Sequence, residues 1–375
     1  MPSLAVLAAQ VVAGLVVLAF IALYTLLVLF TPRAPTPSPS ESTYLTPSSS
    51  TPRPLPSPFS LSSSSSSSPP LPPPPPTVAL SVVVPAYNES ARLGVMLRPA
   101  ITFLETRDLS SIPSSRPLPA GVDEGSYEVL IVDDGSRDGT VEKALELARE
   151  CEKGLEGGKM KRGEVKVCRL VRNRGKGGAT KHGVLHSSGA RILFVDADGA
   201  TSFPDLALLE AELDKLALAQ DPAQDPHGLV VGSRAHLVKS EAVVKRSPLR
   251  NLLMRTFHLY LSLLGLSTIR DTQCGFKLQS RSSASLLYPA LHSPGWIFDC
   301  ELLLLAMRCG VPVREVGVEW HEVEGSKLDV VRDSVRMARD LLVIRGNYLL
   351  GRWRTPGKVA GAAETNGSGE GKKER

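Results

Sequence analysis

Short apolar runs that stop abruptly at acidic residues recur along this chain. Segments 78–84, 127–132, 165–171, 191–195 and 229–231 are rich in Val, Ile and Leu and have the length of strands. Between them the apolar spacing turns helical, near 89–104, over 139–152 with Asp138 as N-cap, and from the Gly-rich turn 173–178 to about His186. Strands alternating with helices predict an α/β domain with a doubly wound, mostly parallel sheet and right-handed crossovers. Stretches 106–126 and 152–164 read as surface insertions between these elements.

The ends of the chain follow other patterns. Leu4–Phe30 carries no charge. As a helix it reaches about 40 Å, more than the ~30 Å hydrocarbon core of a bilayer. A signal peptide has a basic start and a shorter apolar run, whereas Met1-Pro2-Ser3 has no basic side chain, so 4–30 reads as a retained transmembrane anchor. Arg33 follows the anchor and nothing basic precedes it, which puts the C-terminal bulk in the cytosol. Residues 31–76 are Pro/Ser-rich and predict an extended, disordered tether that leaves the domain's pose on the membrane unfixed. Residues 77–355 form the folded domain, and the Gly/Ala/Lys/Glu-rich end, 356–375, predicts a disordered tail.

Two apolar stretches lie late in the domain. Residues 251–266 are broken by Arg255 and His258, which fits a core or interfacial helix better than a second span. Residues 327–345 place Leu328, Val331, Val335, Ala338, Leu341 and Leu342 at helical spacing, an apolar stripe for the core. Arg332, Arg336, Arg339 and Arg345 lie among them and allow contact with a membrane surface.

Composition changes the picture little. The formal net charge is +5 with 22% charged residues, and neither an RNA-binding signature nor a zinc spacing is present, which excludes a nucleic-acid partner. The five cysteines are odd in number and include no Cys-x-x-Cys pair, as expected of buried thiols in a reducing compartment.

The chemistry lies at the strand ends. In Ile192-Leu193-Phe194-Val195-Asp196-Ala197-Asp198, period-2 alternation turns both carboxylates to one side. Paired hard oxygens suit Mg²⁺ or Mn²⁺ carrying a diphosphate. Pro85-Ala86-Tyr87-Asn88-Glu89 and Asp133-Asp134-Gly135-Ser136 end two earlier strands. Three such tips describe a nucleotide site at the carboxyl edge of a parallel sheet. The turn Arg174-Gly175-Lys176-Gly177 offers backbone amides and two cations at a helix start, a cradle for a diphosphate. It lacks the terminal Lys-Ser/Thr of a P-loop, which argues against ATPase activity.

These motifs, in this order, resemble those of the inverting family 2 glycosyltransferases, which have the glycosyltransferase-A fold. The resemblance implies that Pro85, Tyr87, Asn88, Glu89, Asp133 and Asp134 hold uracil and ribose, and that Asp196 and Asp198 bind the metal. Asp271-Thr272-Gln273-Cys274-Gly275-Phe276-Lys277 is similar to the acceptor-side signature of polyprenyl-phosphate sugar transferases. Trp296, Phe298, Asp299 and Glu301, with His321-Glu322 and Gly325-Ser326-Lys327, resemble segments of the dolichyl-phosphate β-glucosyltransferases. This resemblance covers about 78–355 and implies an endoplasmic-reticulum membrane enzyme with its domain in the cytosol. The implied reaction moves glucose from UDP-glucose to dolichyl phosphate with inversion.

The acceptor sets the chemistry required. A phosphate monoester is already anionic near neutral pH, because its second pKa is about 6. Cations to dock it matter more than a general base. Arg234, Lys245, Arg246 and Arg250 are the candidates, and Gln273 lies in the acceptor-side motif. Asp299 is assigned to the catalytic set with Asp196 and Asp198, although it and Asp271 serve equally well to orient substrate or the arginines. Three other readings stand beside this one: a GDP-mannose-dependent relative, a processive polysaccharide synthase, and a non-catalytic membrane-tethered module. The synthase reading is weakened by the missing multi-helix channel, and the last by the intact Asp133, Asp196 and Asp198.

Overall fold

Burial on both faces makes the apolar runs strands. The computed structural model describes residues 4–33, 35–36, 38–59, 73–112, 117–239, 269–323 and 330–359. Its strands are β1 (Thr43–Thr46), β2 (Ser49–Pro54), β3 (Val78–Ala86), β4 (Tyr127–Asp133), β5 (Gly163–Arg169), β6 (Gly189–Val195), β7 (Leu229–Ser233), β8 (Phe276–Ser280) and β9 (Val313–Gly317). They form one sheet in the order β2-β1-β5-β4-β3-β6-β8-β7-β9. The centre, β5-β4-β3-β6, is parallel. Every residue of β4 is buried, as a parallel strand covered on both faces requires. β8 runs antiparallel to β6 and β7, and β9 is parallel to β7.

The helices are α1 (Leu4–Phe30), α2 (Leu93–Thr106), α3 (Thr140–Gly154), α4 (Lys176–Leu185), α5 (Leu206–Leu218), α6 (Arg281–Leu287), α7 (Phe298–Cys309) and α8 (Val330–Leu349). α2, α3 and α5 bury their apolar stripes against one face of the sheet, and α4, α6, α7 and α8 against the other. This is the doubly wound arrangement the alternation predicts. α2 starts at Leu93, later than the sequence suggests. The amide of Glu89 donates instead to Thr140 Oγ1 (2.9 Å), drawing the strand-to-helix turn toward the next loop. Asp138 is not the N-cap of α3. That position is Gly139 at φ 80°, and Asp138 accepts from the amide of Thr140 at 3.1 Å from one residue further back.

The tether expectation needs correcting. Pro39–Ser42 is a 3₁₀ turn, and β1 and β2 form a hairpin whose Leu45 pairs with Val167 on the sheet edge. Tyr44, Thr46, Leu55 and Phe59 are buried. The short alternation at Tyr44-Leu45-Thr46 is hidden in the surrounding Ser/Pro composition, yet it suffices once an edge strand exists to receive it.

The anchor end is also not loose. Asn347 Nδ2 on α8 donates to Thr31 Oγ1 at 2.9 Å. Leu27 lies against Gly346, the Arg339 guanidinium sits 5.2 Å from the Phe30 ring centre, and that of Arg352 sits 5.6 Å from Tyr24. Helix α8 buries Met337, Leu341, Ile344 and Tyr348, which repeat at three and four residues. Val335, expected in the core, is exposed, and so are Leu342 and Leu349 one and two heptads on. The 251–266 segment, the tail from residue 360 and the Gly325-Ser326-Lys327 motif lie outside the described residues.

Candidate active site

β3, β4 and β6 end side by side, so their polar tips converge. Asp133 accepts from the amide of Ser136 (3.2 Å). Asn88 has φ 53°, a left-handed conformation that Asn tolerates better than most residues. Its amide donates to Ser136 Oγ and its Oδ1 accepts from the amide of Arg137, each at 2.8 Å. Glu89 holds Arg92 through two bonds of 2.9 and 2.8 Å. The loops after β3 and β4 are thus laced into one concave edge, with Pro85 inside β3 and Tyr87 exposed at the rim.

Asp134 ties this edge to the Gly-rich turn. Its carboxylate accepts from the amides of Arg174 (2.7 Å) and Gly175 (2.8 Å). Burial nevertheless pushes its pKa up to about 7. Gly175 has φ 84°, and a Cβ there would lie 2.5 Å from the carbonyl oxygen of Pro294. Gly177 is equally tight, because its Cβ would lie 2.5 Å from Phe298 Cβ. The Arg174 guanidinium does not face the open edge, since it pairs with buried Glu41. Lys176 does face it: Nζ lies 2.7 Å from Asp196 Oδ1 and 5.5 Å from the Trp296 ring centre.

Asp196 and Asp198 stand together at the end of β6. Burial first, and then the Asp196 charge, hold the Asp198 carboxyl above its usual range. That is where a cation would favour the ionised form. Arg92 and Lys176 oppose that rise without cancelling it, and two hard carboxylates crowded in this way fit a divalent metal. Among the described residues no group of three His, Cys, Asp or Glu side chains gathers to ligate one. The amide of Asp196 donates to the Gly275 carbonyl at 3.0 Å, and a Cβ on Gly275 would lie 2.0 Å from Asp196 Oδ2. Only glycine permits that approach.

On the far side of the pair, Arg234 and Asp271 join through 2.7 and 2.9 Å bonds. The Arg234 guanidinium lies 5.5 Å from the Trp320 ring centre. Gln273 follows, with its amide on Asp271 Oδ1 at 3.3 Å.

The family model for "Glycosyl transferase family 2" matches residues 81–285, which hold all these strand-end motifs. The chain belongs to glycosyl transferase family 2. It is 41% identical over 278 residues to a Saccharomyces cerevisiae protein named dolichyl-phosphate beta-glucosyltransferase, covering 74% of this chain and 77% of that one. A Homo sapiens protein of the same name is 44% identical over 74% of this chain and 78% of its own length. The motif resemblance is thereby borne out: this family 2 member is a glycosyltransferase. Among solved structures, Mycobacterium tuberculosis glucosyl-3-phosphoglycerate synthase in complex with Mn²⁺ and UDP-glucose is 21% identical. It covers 74% of this chain and 80% of that chain with a TM-score of 0.39.

Within this glycosyltransferase, most of the sequence-derived residues meet on one edge: Pro85, Tyr87, Asn88, Glu89, Asp133, Asp134, Lys176, Gly177, Asp196, Asp198, Arg234 and Gln273. Arg246 and Arg250, with Lys245, lie outside the described residues. Asp299, expected among the catalytic residues, is 2% exposed and makes an ion pair of 2.6 Å with fully buried Lys277. It faces that ammonium and not the open edge. Glu301 is likewise structural, accepting from the amide of Ser293 (2.6 Å) and from the Tyr348 hydroxyl (2.9 Å). Sequence reasoning missed Lys277, Gly275 as a packing constraint, and Glu41. The first two sit inside a motif that was read as a whole. Glu41 lies in a tract whose composition hid it.

Proposed function

We propose that this chain transfers glucose from UDP-glucose to dolichyl phosphate, giving dolichyl β-D-glucosyl phosphate and UDP, a lipid-linked donor for protein N-glycosylation. The observation that carries this reading is the 41–44% identity, over about three quarters of the chain, to relatives that bear that enzyme's name. The loops after β3 and β4 hold the nucleoside, and Lys176 faces the diphosphate, while the amides of Arg174, Gly175 and Gly178 in its turn stay bonded to Asp134 and to the Pro294 carbonyl. Asp196 and Asp198 would hold Mg²⁺ or Mn²⁺, which when bound would supply positive charge to the leaving diphosphate. Arg234, oriented by Asp271, docks the acceptor phosphate as a fixed fork of donors. A phosphate oxygen attacks C1 from the face opposite the diphosphate, the C1–O bond to UDP breaks, and configuration inverts. No proton has to be removed, so Asp299 need not act as a base. Its charge holds Lys277, whose Nζ also donates to the Cys274 carbonyl at 2.5 Å.

α1 is apolar enough to cross a membrane. With Thr31 and Phe30 docked on α8, it mounts the site at a set height above the bilayer. The exposed Val335, Leu342 and Leu349, with the arginines of α8, rest on the membrane surface. The enzyme sits in the endoplasmic-reticulum membrane with residues 31–375 in the cytosol.

Membranes containing the full chain, incubated with labelled UDP-glucose, GDP-mannose or UDP-GlcNAc, test the reaction. Label should enter chloroform-soluble lipid only from UDP-glucose and only with dolichyl phosphate present; labelling from GDP-mannose would replace the donor. Protease added to sealed microsomes should digest the domain, and neither Asn-x-Ser sequon, Asn88-Glu89-Ser90 or Asn366-Gly367-Ser368, should carry glycan. Protection until detergent is added would reverse the orientation.

A further inference from the structure

We infer that Glu41, in the hairpin strap that follows the membrane anchor, is a positioning residue for the donor diphosphate, acting through Arg174. It lies outside the family-matched span of 81–285, yet it is wired into the turn that opens onto Asp196.

Glu41 is 2% exposed and every part of it is engaged. One carboxylate oxygen accepts from the amide of Val171 at 2.9 Å. The other accepts from the amide of Ser38 (2.8 Å) and from Arg174 Nη2. Its carbonyl oxygen lies 2.8 Å from His182 Nε2 on α4 and 3.3 Å from the Cys168 thiol on β5, so the strap is held from both sides. Burial raises the Glu41 pKa, but the two amides and Arg174 outweigh it and hold the carboxyl below its usual range. The pair is ionised at neutral pH.

The turn from Asn173 to Lys176 is therefore clamped at three points. Asp134 takes the amides of Arg174 and Gly175, the Pro294 carbonyl crowds Gly175, and Glu41 holds the Arg174 side chain. What the clamp presents is Lys176 Nζ, 2.7 Å from Asp196. An arginine beside a diphosphate loop reads at first as a phosphate ligand. Here its guanidinium is committed to a buried carboxylate, and Lys176 is left as the cation of the turn that faces the site. The strap carrying Glu41 begins a short way after the anchor, so tethering and donor-site geometry share one segment.

The inference rests on the proposed UDP-glucose reading, and titration of UDP itself separates the two. The full chain in detergent is titrated with UDP and Mg²⁺, then assayed with UDP-glucose and dolichyl phosphate. Glu41→Gln keeps the size and the acceptor for Val171 but loses the charge. It should weaken UDP binding and raise KM for the donor roughly 10-fold or more, with KM for dolichyl phosphate unchanged and kcat at saturating donor nearly kept. Arg174→Ala should resemble Glu41→Ala, and the double variant should be no worse than either, as expected of residues acting as one unit. A thermal melt on the same samples shows that the variants are folded at the assay temperature. If Glu41→Gln binds UDP like the wild type, or if Arg174→Ala is far worse than Glu41→Ala and the two losses add, Arg174 contacts the donor directly and the inference is overturned. If the wild-type chain does not bind UDP at all, the functional reading fails as well.

Discussion

Arg234 and Asp271 face each other as a two-point ion pair, Nε to Oδ2 at 2.7 Å and Nη2 to Oδ1 at 2.9 Å. The amides of Arg234 and Gln273 add a second bond to Oδ2 (2.9 Å) and to Oδ1 (3.3 Å), so Asp271 orients a cation and its acceptor sites are filled. Burial raises the Asp271 pKa, but the bonds from Arg234 outweigh it and hold the carboxyl below its ordinary value. Arg234→Ala should raise KM for dolichyl phosphate or lower kcat. The loss of a charge-assisted phosphate contact, about 1.5–3 kcal/mol, is roughly 10- to 150-fold in kcat/KM. Arg234→Lys should recover part of it, and UDP affinity by isothermal titration should change little. Collapse of donor affinity alongside activity would place Arg234 in the nucleotide site.

Gly275→Ala should inactivate the enzyme without unfolding it. The added Cβ would lie 2.0 Å from Asp196 Oδ2 and 2.2 Å from Cγ, which are side-chain atoms that can swing aside. The carboxylate then leaves its place opposite Lys176. A displacement of about 1 Å costs on the order of 100-fold in rate. Steady-state kinetics and a thermal melt together check this, and activity near wild type would mean that Asp196 need not stay where it is.

Asp198→Ala should remove nearly all transfer, and EDTA should do the same to the wild type until Mg²⁺ or Mn²⁺ is restored. A second readout needs no turnover. A ligand that binds only the folded state at about 100 times its Kd adds roughly 2.7 kcal/mol of stability. Mn²⁺ with UDP should therefore raise Tm of the wild type and fail to do so for Asp198→Ala. Full activity in metal-free buffer would remove the metal from the site.

His182 makes the strap sensitive to acid. Burial first, then the neighbouring His186 ring at 4.7 Å, lower its pKa to about 4 from 6.5, against the raising effect of its bond to the Glu41 carbonyl. Arg174 adds to the lowering, the Glu41 charge opposes it, and the Cys168 thiol packs beside the ring. A base with a depressed folded pKa binds fewer protons folded than unfolded. Its contribution is fully present above pH 6.5 and is lost as pH falls from there toward 4. Between pH 7 and 5 that loss is about 2 kcal/mol. Asp134, whose raised pKa works in the opposite sense from pH 3.8 to about 7, offsets it by a similar amount in the wild type. The comparison is therefore with His182→Gln. From pH 7 to 5, denaturant melts should show that variant losing less stability, or gaining more, than the wild type, and parallel curves would remove His182 from the pH response.

The central parallel strands, the α/β alternation and the acid at each strand tip were legible in the linear chain. A strand buried on both faces must be apolar, and a site at its end must turn polar there, so both leave a local trace. The Asp196–Asp198 pair was legible as an Asp-x-Asp behind an apolar run, but β6 stops at Val195 and Ala197 and Asp198 lie in a turn, so strand alternation is not what places the two carboxylates. What only the tertiary structure decided is which partner each charged group finds. Arg174 looked like a phosphate cation until Glu41, 133 residues away, was seen to occupy it. Asp299 looked catalytic until Lys277, 22 residues earlier, was found buried against it. Glu41 itself lies in a tract that composition marks as unstructured, because a four-residue edge strand has no local signal strong enough to outweigh its Ser/Pro surroundings. The anchor was evident from apolar length, but its docking on Gly346 and Asn347 is a contact between the two ends of the chain. Periodicity within a segment reports what that segment buries, whereas pairing across hundreds of residues depends on a fold that no single segment encodes.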